Sequence, residues 1–494
     1  MTFGPSGLAR LMLVAALAGA TLSQSLAAQD IEPVGDPLEQ ALAEGPLLPD
    51  EVLRSSALTF PRILESFERE AAARADQLAA DGAFDLMLEA EASDRITGYY
   101  SGGFASVKAR QPIAPYGAEV YGSYRLSDGD FPIYENYYNT NEFGELKIGA
   151  LLSLLRNRNI DPRRFEVEDT RLAADQAGLD VLLVRLNVQF EALQAYWRWV
   201  ATGNEIRVYE ELLEIAEARA IGLGRQVRAG ASPRIALTEN EQNVIRRRTL
   251  LAEARRNFTT AANSLSFYLR NSDGQLFVPT RNQLPDAATL GALPNVEALL
   301  AMERNRILAA RPELRTLAIA IERAHNRVEL RRNDLRPRLD LNAELSRDFG
   351  PIGDGGVSFD STDTVVGLKF TVPLQNREAR GALRRAEAEL RAVELEERRI
   401  ADEIAVEIDN ILANLDAALE LASLAGEEVT QANAMVAAER RRFSLGAGDF
   451  FLVNLREETA ADAQIRQIRA DLNGRLAAAN YNAATMNLEE LGLE

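Results

Sequence analysis

Few side chains in this 494-residue sequence have the chemistry that catalysis or metal binding needs. Cysteine is absent, which excludes disulfides, thiolate nucleophiles and cysteine metal sites. The single histidine, His325, cannot form a histidine metal cluster alone. With one histidine and no cysteine, the chain also has few residues that could supply the nucleophile and base of a hydrolase. The neighbouring carboxylates Glu457 and Glu458 could be mistaken for an acid–base pair, but adjacent acids on a helix surface are more often solvated. We therefore expect neither an enzyme nor a cofactor.

The overall charge argues against a nucleic-acid partner. The chain holds 55 Lys and Arg against 74 Asp and Glu, a formal net charge of −19. Nucleic-acid phosphates bind clustered basic side chains, so an acidic protein is a poor candidate for nucleic-acid binding.

The N-terminus has the pattern of a secretory signal peptide, predicted to cover residues 1–28. Arg10 precedes an apolar run at 11–20, and small residues follow at 25–28. The alternative is a buried first helix. No later segment approaches the ~20 unbroken apolar residues of a membrane-spanning helix. We expect an exported protein that could enter a membrane only as a β-barrel, because a barrel satisfies its backbone groups internally.

Two stretches, about 84–155 and 338–374, contain strands with one apolar and one charged face. The charged face of the second stretch carries Arg338, Asp340, Asn342, Glu344 and Lys369. Such strands are either half of an ordinary sheet over a core or the wall of a barrel around water. Strands of about 9–11 residues suit a tilted membrane crossing. Each half has too few strands to close a barrel, so a membrane barrel would have to be shared among several copies.

Long helical hairpins follow both strand regions, at about 163–269 and 377–489. The first breaks at 228–233, where Ser232 is predicted as the N-cap and Pro233 as the first helical residue. The second breaks at 445–448, after a heptad-like apolar seam made of Leu383, Leu390, Val393, Ile400, Ile404, Ile411, Leu415 and Ala422.

The same order of elements occurs twice, which predicts a two-fold internal repeat. The first repeat covers 29–270 and begins with a helix at about 50–81. A connector covers 271–295, and the second repeat covers 296–494 with a helix at about 296–335. The first repeat has about thirty extra residues, a tyrosine-rich insert at about 108–142. The insert could be a surface loop or an extra strand pair, and we favour the loop.

The ordered set of these features resembles the TolC-type outer-membrane efflux proteins. The resemblance covers essentially the whole mature chain, more convincingly in its second half. It rests on the segments RFSLGAGDFFLVNLRE (442–457), VRAGASPRIALTENE (227–241), ARPELR (310–315), LRPRLDLNAELS (335–346) and VGLKFTVPLQN (366–376).

The resemblance implies a mainly α fold with membrane β-strands. Three protomers would each give four strands to a shared twelve-stranded β-barrel, which continues into a periplasmic α-helical barrel. The implied location is the outer membrane of a Gram-negative bacterium, in contact with its lipid and with a periplasmic extension. The implied partners are a periplasmic adaptor protein and an inner-membrane transporter.

The resemblance also assigns roles to the hairpin breaks. It implies that the tunnel tip and adaptor docking site contain Gly230, Ser232, Gly446, Gly448 and Asp449. Simple helix C-capping is a compatible explanation of the two hairpin glycines. Efflux members of the family carry acidic residues six and nine positions after the glycine that corresponds to Gly446. This chain has Leu452 and Leu455 at those positions. We expect an apolar periplasmic constriction made of Phe450, Phe451, Leu452 and Leu455.

The sequence therefore favours a passive exit duct, the outer-membrane channel of a tripartite efflux pump or of a type I secretion system. Its barrel lumen would contain Arg338, Asp340, Asn342, Glu344 and Lys369. The alternative is a soluble periplasmic coiled-coil adaptor or scaffold, which would explain the helices and the export signal but not the two-faced strands.

Overall fold

The computed structural model describes residues 45–493, with gaps at 272–273, 287–288, 294–303 and 353–360. The predicted signal peptide therefore lies outside the described residues, as does part of the predicted connector. Most of the described chain is helical, and the strands are gathered in one sheet.

The described part of the first half contains two short helices, four strands and two longer helices. They are α1 (Pro49–Thr59), α2 (Pro61–Asp81), β1 (Met87–Asp94), β2 (Gly103–Ile113), β3 (Ala118–Asp128), β4 (Glu145–Ser153), α3 (Pro162–Arg228) and α4 (Arg234–Ser266). The described part of the second half has the same order with two strands. Its elements are α5 (Arg304–Ala310), α6 (Pro312–Asp334), β5 (Arg338–Asp348), β6 (Thr362–Thr371), α7 (Arg377–Ser444) and α8 (Phe450–Ala484).

Each leading helix is divided by a proline, which differs from the single helices expected at 50–81 and 296–335. Phe60, the residue before Pro61, is extended at φ −71° and ψ 121°. A proline ring clashes with a helical conformation of the preceding residue, so the helix ends there and another begins at the proline. The same break separates α5 from α6 at Pro312.

The chain divides into two compact units, and the first contains all six strands. This unit consists of Ala71–Gln176 and Ile319–Leu395 within the described residues. Its strands form one antiparallel sheet in the order in which they occur along the chain. The pairing of β4 with β5, for example Ala150 with Ala343, joins strands from the two halves of the sequence.

The part of the tyrosine-rich insert that ends at Asp128 belongs to this sheet, so the expectation of a surface loop is wrong for that part. β2 pairs with β3 over their full length, from Gly103 opposite Asp128 to Ile113 opposite Ala118. The chain reverses between them with Tyr116 and Gly117 at positive φ. The physical reason is the same period-two alternation that marks the other strands, since 105, 107 and 109 are apolar and 106, 108 and 110 are polar.

The second unit consists of the helical ranges Ala177–Ala318 and Glu396–Glu494 together with Pro33–Glu70, as far as the structure describes them. Its largest core cluster surrounds Trp199 and Tyr196, which are fully buried. The predicted α7 seam contributes four buried residues to this unit, namely Ile404, Ile411, Leu415 and Ala422. None of the helices in the described ranges has an apolar stretch long enough to cross a bilayer.

Candidate functional site

The sheet has a polar face that runs across all six strands. Strand register places Asp340 opposite Ser153 on β4 and opposite Lys369 on β6. Because alternate residues of a strand share a face, the five residues predicted to line a lumen lie on one side of the sheet. A complete cross-strand row on this side consists of Glu89, Lys108, Ser123, Lys147, Ser346 and Asp363.

Side chains on the polar face bind one another. The Tyr121 hydroxyl donates a hydrogen bond to the Glu344 carboxylate. The Arg338 guanidinium lies 2.5 Å from Asp340, whose other oxygen accepts a 3.2 Å bond from the Ser153 hydroxyl. Asp340 is thereby only 3% exposed although it carries a charge. The Ser153–Asp340 contact joins directly opposed residues of β4 and β5, and such cross-strand pairs stabilise a sheet.

The opposite face of the sheet is apolar and is not covered within the described chain. The row adjacent to the polar one consists of Leu88, Ala109, Gly122, Ile148, Leu345 and Thr364. On β6, Leu368 is 67% exposed and Phe370 is 61% exposed. An ordinary sheet over a core buries its apolar face and exposes its polar face. This sheet exposes its apolar face, which is the pattern of a strand wall between lipid and water.

Both helical hairpins end in the same backbone motif at a glycine. Gly230 has φ +69° and Gly446 has φ +74°. The next residue in each case donates a hydrogen bond back into the last helical turn, from Ala231 to the carbonyl of residue 226 at 2.8 Å and from Ala447 to that of residue 442 at 3.0 Å. This is the Schellman C-cap, which needs a left-handed residue, and it accounts for both glycines by backbone geometry.

The residues after these glycines differ between the hairpins. The expectation that Ser232 is an N-cap is wrong, because α4 begins at Arg234 with Pro233 as its N-cap. The Ser232 hydroxyl instead donates to Gln226 at 3.0 Å. Asp449 does cap its helix, accepting a 3.2 Å bond from the Phe451 N–H. A Cβ at Gly448 would lie 2.8 Å from the backbone nitrogen of Phe443, so a larger residue does not fit there.

The four residues predicted to form a constriction lie on the first turns of α8, but they do not share one environment. Phe450 is buried, with its ring 5.4 Å from the Arg219 guanidinium. Phe451 and Leu455 are exposed, and Leu452 is half-buried. Three of the four residues are therefore accessible.

A buried charge cluster near the hairpin ends was not recognised from the sequence. Glu457 is only 3% exposed, so the expectation that it is solvated is wrong. Its carboxylate accepts hydrogen bonds from Arg219 on α3, from Arg247 on α4 at 3.5 Å, and from Arg440 on α7 at 2.8 Å. Glu457 on α8 therefore links all four hairpin helices of the second unit.

The arginines keep Glu457 ionised. Burial alone raises the pKa of its carboxyl, but the hydrogen bonds and charges of Arg219 and Arg440 outweigh burial and hold the pKa below the ordinary value of 4.5. Burial lowers the pKa of Arg247, which is 1% exposed, and the charge of Glu457 opposes that effect. The cluster is consequently a paired, structural group of charges.

The described ranges contain no group of side chains with the composition of a metal site. His325 is exposed on α6. Within those ranges no three His, Asp or Glu side chains are grouped as a metal ion would require.

Comparison with known proteins identifies the family that the sequence resembles. Residues 304–485 match the family model described as Outer membrane efflux protein. The resemblance inferred from the sequence is thereby confirmed. No curated protein sequence matches the chain.

Solved structures share the fold over nearly the whole chain. The outer-membrane channel OprN aligns with a TM-score of 0.64 and 16% identity, covering 90% of each chain. The Campylobacter jejuni CmeC outer membrane channel gives 0.62 and 14%, covering 90% of this chain and 89% of CmeC. The outer membrane protein VceC from Vibrio cholerae gives 0.61 and 14%, covering 90% and 97%. At these identities the likeness establishes the fold, which is that of outer-membrane channels.

Proposed function

We propose that the protein is a passive outer-membrane channel, the exit duct of a tripartite efflux pump or of a type I secretion system. One observation carries the proposal: the sheet exposes its apolar face and lines its other face with charges. Water does not favour such a surface, because exposed Leu and Phe side chains lose the stabilisation that burial provides. A lipid bilayer on one side and water on the other favour it.

The polar face would line the barrel lumen. In this arrangement Arg338, Asp340, Asn342, Glu344 and Lys369 lie on the lumen side, with Asp340 buried by its contacts with Arg338 and Ser153. Two positive and two negative side chains leave the lumen without a single dominant charge. The channel makes and breaks no bond. Its selectivity follows from the bore, from the polarity of this face and from the opening of the helical end.

The open sheet requires more copies of the chain. Backbone groups at a free strand edge cannot remain unpaired in lipid, so the barrel must close by association. We propose the homotrimer that the family resemblance implies. Its strands would lie in the outer membrane of a Gram-negative bacterium, and its helices would extend into the periplasm after export by the signal peptide.

The hairpin ends would meet the other components of the pump. We propose Gly230, Ser232, Gly446, Gly448 and Asp449 as the landing site of a periplasmic adaptor protein that connects to an inner-membrane transporter. The exposed side chains of Phe451 and Leu455, with half-buried Leu452, would form an apolar constriction at the closed end. Buried Phe450 would support them from behind.

The alternative of a soluble periplasmic adaptor or scaffold is less consistent with the sheet. In that case Leu368, Phe370 and the rest of the apolar face would contact water over six strands. Contiguous exposed apolar surfaces of that kind mark membrane or protein contact sites.

Channel activity can be tested in planar lipid bilayers with single-cysteine variants, since the native chain has no cysteine. Lys369→Cys places a thiol on the polar face, and Leu368→Cys places one on the apolar face of the same strand. We expect discrete conductance steps from both variants. A bulky maleimide–polyethylene glycol added in water should lower the conductance of the Lys369→Cys channel and leave the Leu368→Cys channel unchanged. Absence of conductance, or an equal response of both variants, would contradict the proposal.

A further inference from the structure

The sheet contributes more strands than the family resemblance implies. We infer that all six strands of each chain enter the shared wall, so that β1 of one copy pairs with β6 of the next and three copies close an eighteen-stranded barrel. This inference rests on the proposed membrane trimer and replaces the expected twelve strands.

The additional hairpin is an integral part of the sheet. β2 pairs with all of β1, from Met87 opposite Arg110 to Asp94 opposite Gly103. β3 pairs with β4 from Glu119 opposite Leu151. The hairpin therefore lies between β1 and β4, and it cannot become a surface loop unless both ladders break.

The two faces continue through the middle of the additional hairpin. On β2, Val107 belongs to the apolar face and Lys108 to the polar face, and their partners on β3 are Tyr124 and Ser123. Lys108 also lies 5.1 Å from the ring centre of Tyr121 on the polar face. A strand pair outside the wall would have no physical reason to keep the same two-sided pattern.

Strand direction allows the proposed closure. Six antiparallel strands leave β1 and β6 running in opposite directions. Rotation about an axis through the barrel then brings β1 of one copy beside β6 of the next in an antiparallel arrangement. Adding a hairpin preserves this relation because it adds two strands, whereas adding one strand would destroy it.

The two edge strands also match in chemistry. Both are exposed, and β1 pairs only with β2 and β6 only with β5 in the described chain. If Met87 lies opposite Thr371 of the next copy, Glu89 lies opposite Lys369 on the polar face. The same alignment places Leu88 opposite Phe370 on the apolar face. Opposite charges and apolar pairs directly across strands are both stabilising.

The stagger of the sheet independently supports this alignment. A line of paired residues that starts at Met87 passes through Arg110, Tyr121, Gly149 and Glu344 and reaches Val365 on β6. Thr371 lies six positions after Val365, so closing Thr371 on Met87 of the next copy staggers the six strands by one residue per strand. At about 3.3 Å of rise and about 4.8 Å between strands, this stagger tilts the strands by about 35°. Closed barrels have tilts of about 35–45°.

The strand count determines the bore of the barrel. Barrel diameter grows roughly linearly with strand number, so eighteen strands give a diameter about 1.5 times that of twelve. The cross-section is then about twice as large, roughly as the square of the diameter. Such a barrel passes bulkier polar cargo than a twelve-stranded one.

Accessibility of neighbouring β2 positions tests whether the additional hairpin is in the wall. In the trimer reconstituted in lipid, Lys108→Cys should react with a charged, membrane-impermeant methanethiosulfonate. Val107→Cys should not react with this reagent, because its thiol faces lipid and the thiolate form is disfavoured in apolar surroundings. Equal reactivity of the two variants would place the hairpin outside the wall and overturn the inference.

Disulfide cross-linking tests the edge pairing. Ala90→Cys is combined in turn with Val366→Cys, Leu368→Cys or Phe370→Cys, and the proposed alignment predicts that Leu368→Cys cross-links best. Oxidation should convert the trimer to a covalent ladder on non-reducing gels. Ala90→Cys with Val107→Cys is the matched control, since these positions pair within one chain and should give no ladder. If the control forms its internal disulfide and none of the three pairs forms a ladder, the edge pairing is wrong.

Native mass in detergent distinguishes a failure of the proposed channel function from a failure of the eighteen-stranded barrel. A monomer would contradict the proposed function itself. A trimer in which Val107→Cys and Lys108→Cys react equally would contradict only the eighteen-stranded wall.

Discussion

The sheet and the helical core use apolar residues in opposite ways. In the second unit, Trp199 is completely buried among other apolar side chains. In the first unit, Leu368 and Phe370 are more exposed than buried. The helical unit completes its own core in water, whereas the sheet needs another apolar phase against its outer face. The proposed channel accounts for this difference, because its strands would contact lipid and its helices water.

Charged residues differ between the regions in the same way. In the helical unit, Glu457 is withdrawn from water and neutralised by three arginines. On the sheet, most charged side chains remain partly or fully accessible, although Asp340 is buried, and they pair with neighbours on the same or an adjacent strand. Buried charges need complete pairing, while charges that face water need only solvation.

The largest effect should come from the helical core. Trp199→Ala removes a fully buried indole and should destabilise the protein by about 3–5 kcal/mol. Thermal unfolding of the detergent-solubilised protein, followed by circular dichroism, measures the loss. Leu368→Ala is the control, because Leu368 is in no core and its truncation should lower the melting temperature far less. Similar losses would remove the contrast between the two regions.

The charge cluster should give the next largest effect. Glu457→Gln leaves Arg247 buried without its counter-charge and should lower the free energy of unfolding by about 3 kcal/mol. This value is at the low end for a broken buried ion pair because Arg440, another partner of Glu457, is half-exposed. Glu458→Gln, on the neighbouring and more exposed carboxylate, is the control and should cost much less. A melting temperature that is unchanged in Glu457→Gln would show that the cluster is not structural.

The same variant predicts a pH dependence. Because the folded-state pKa of Glu457 is below 4.5, its stabilisation is complete above that pH and is lost as the pH falls through the lowered value. Melting curves from pH 7 to pH 3 should therefore show a steeper acid loss in the native protein than in Glu457→Gln. Parallel pH profiles would contradict the assigned ionisation.

A charge on the outer face of the sheet tests the lipid contact. Leu368→Arg or Phe370→Arg should impair membrane assembly, since an arginine facing lipid near the midplane costs about 2–4 kcal/mol. Lys369→Leu, between them on the polar face, should assemble normally. The amount of heat-resistant oligomer in isolated outer membranes measures the outcome, and equal behaviour of the two classes would reverse the assigned faces.

The smallest effect should come from the hairpin glycine. Gly446→Ala forces an L-residue into a left-handed conformation and should cost about 1 kcal/mol. No atom lies within 4 Å of the added Cβ, so the cost is conformational. Gly222→Ala, inside α3, is the matched control, because its added Cβ also has no atom within 4 Å. Alanine favours a helix more than glycine does, so this change should stabilise the protein by about 0.5–1 kcal/mol. Equal signs in melting experiments would contradict the backbone argument.

The two-faced strands could be predicted from the sequence because the side-chain period of a strand is local. The alternation in 338–346 and 366–374 places Asp340 and Lys369 on one side before any pairing is known. The additional hairpin was only the less favoured alternative to a surface loop, although 103–113 has the same period. Glycines and prolines around it, including Pro112 inside β2, resemble loop punctuation, and only pairing with the neighbouring strands shows its place.

The charge cluster could not be predicted because its contacts are remote in sequence. Arg219 lies 238 positions from Glu457, and Arg247 lies 210 positions away. Local spacing shows only that Glu457 and Glu458 are neighbours on a helix. The packing of the four helices decides whether Glu457 or Glu458 points into the unit. The sequence of α8 does not specify this packing, because alanines occur on every side of the helix.

The most direct test of the account is the state of the mature protein in cells and in detergent. Membrane fractionation followed by native mass measurement should find the protein in the outer membrane and give the mass of a trimer. That result would mean that the apolar face meets lipid and that three copies complete the sheet. A soluble monomer or dimer would contradict the channel and favour a periplasmic adaptor instead.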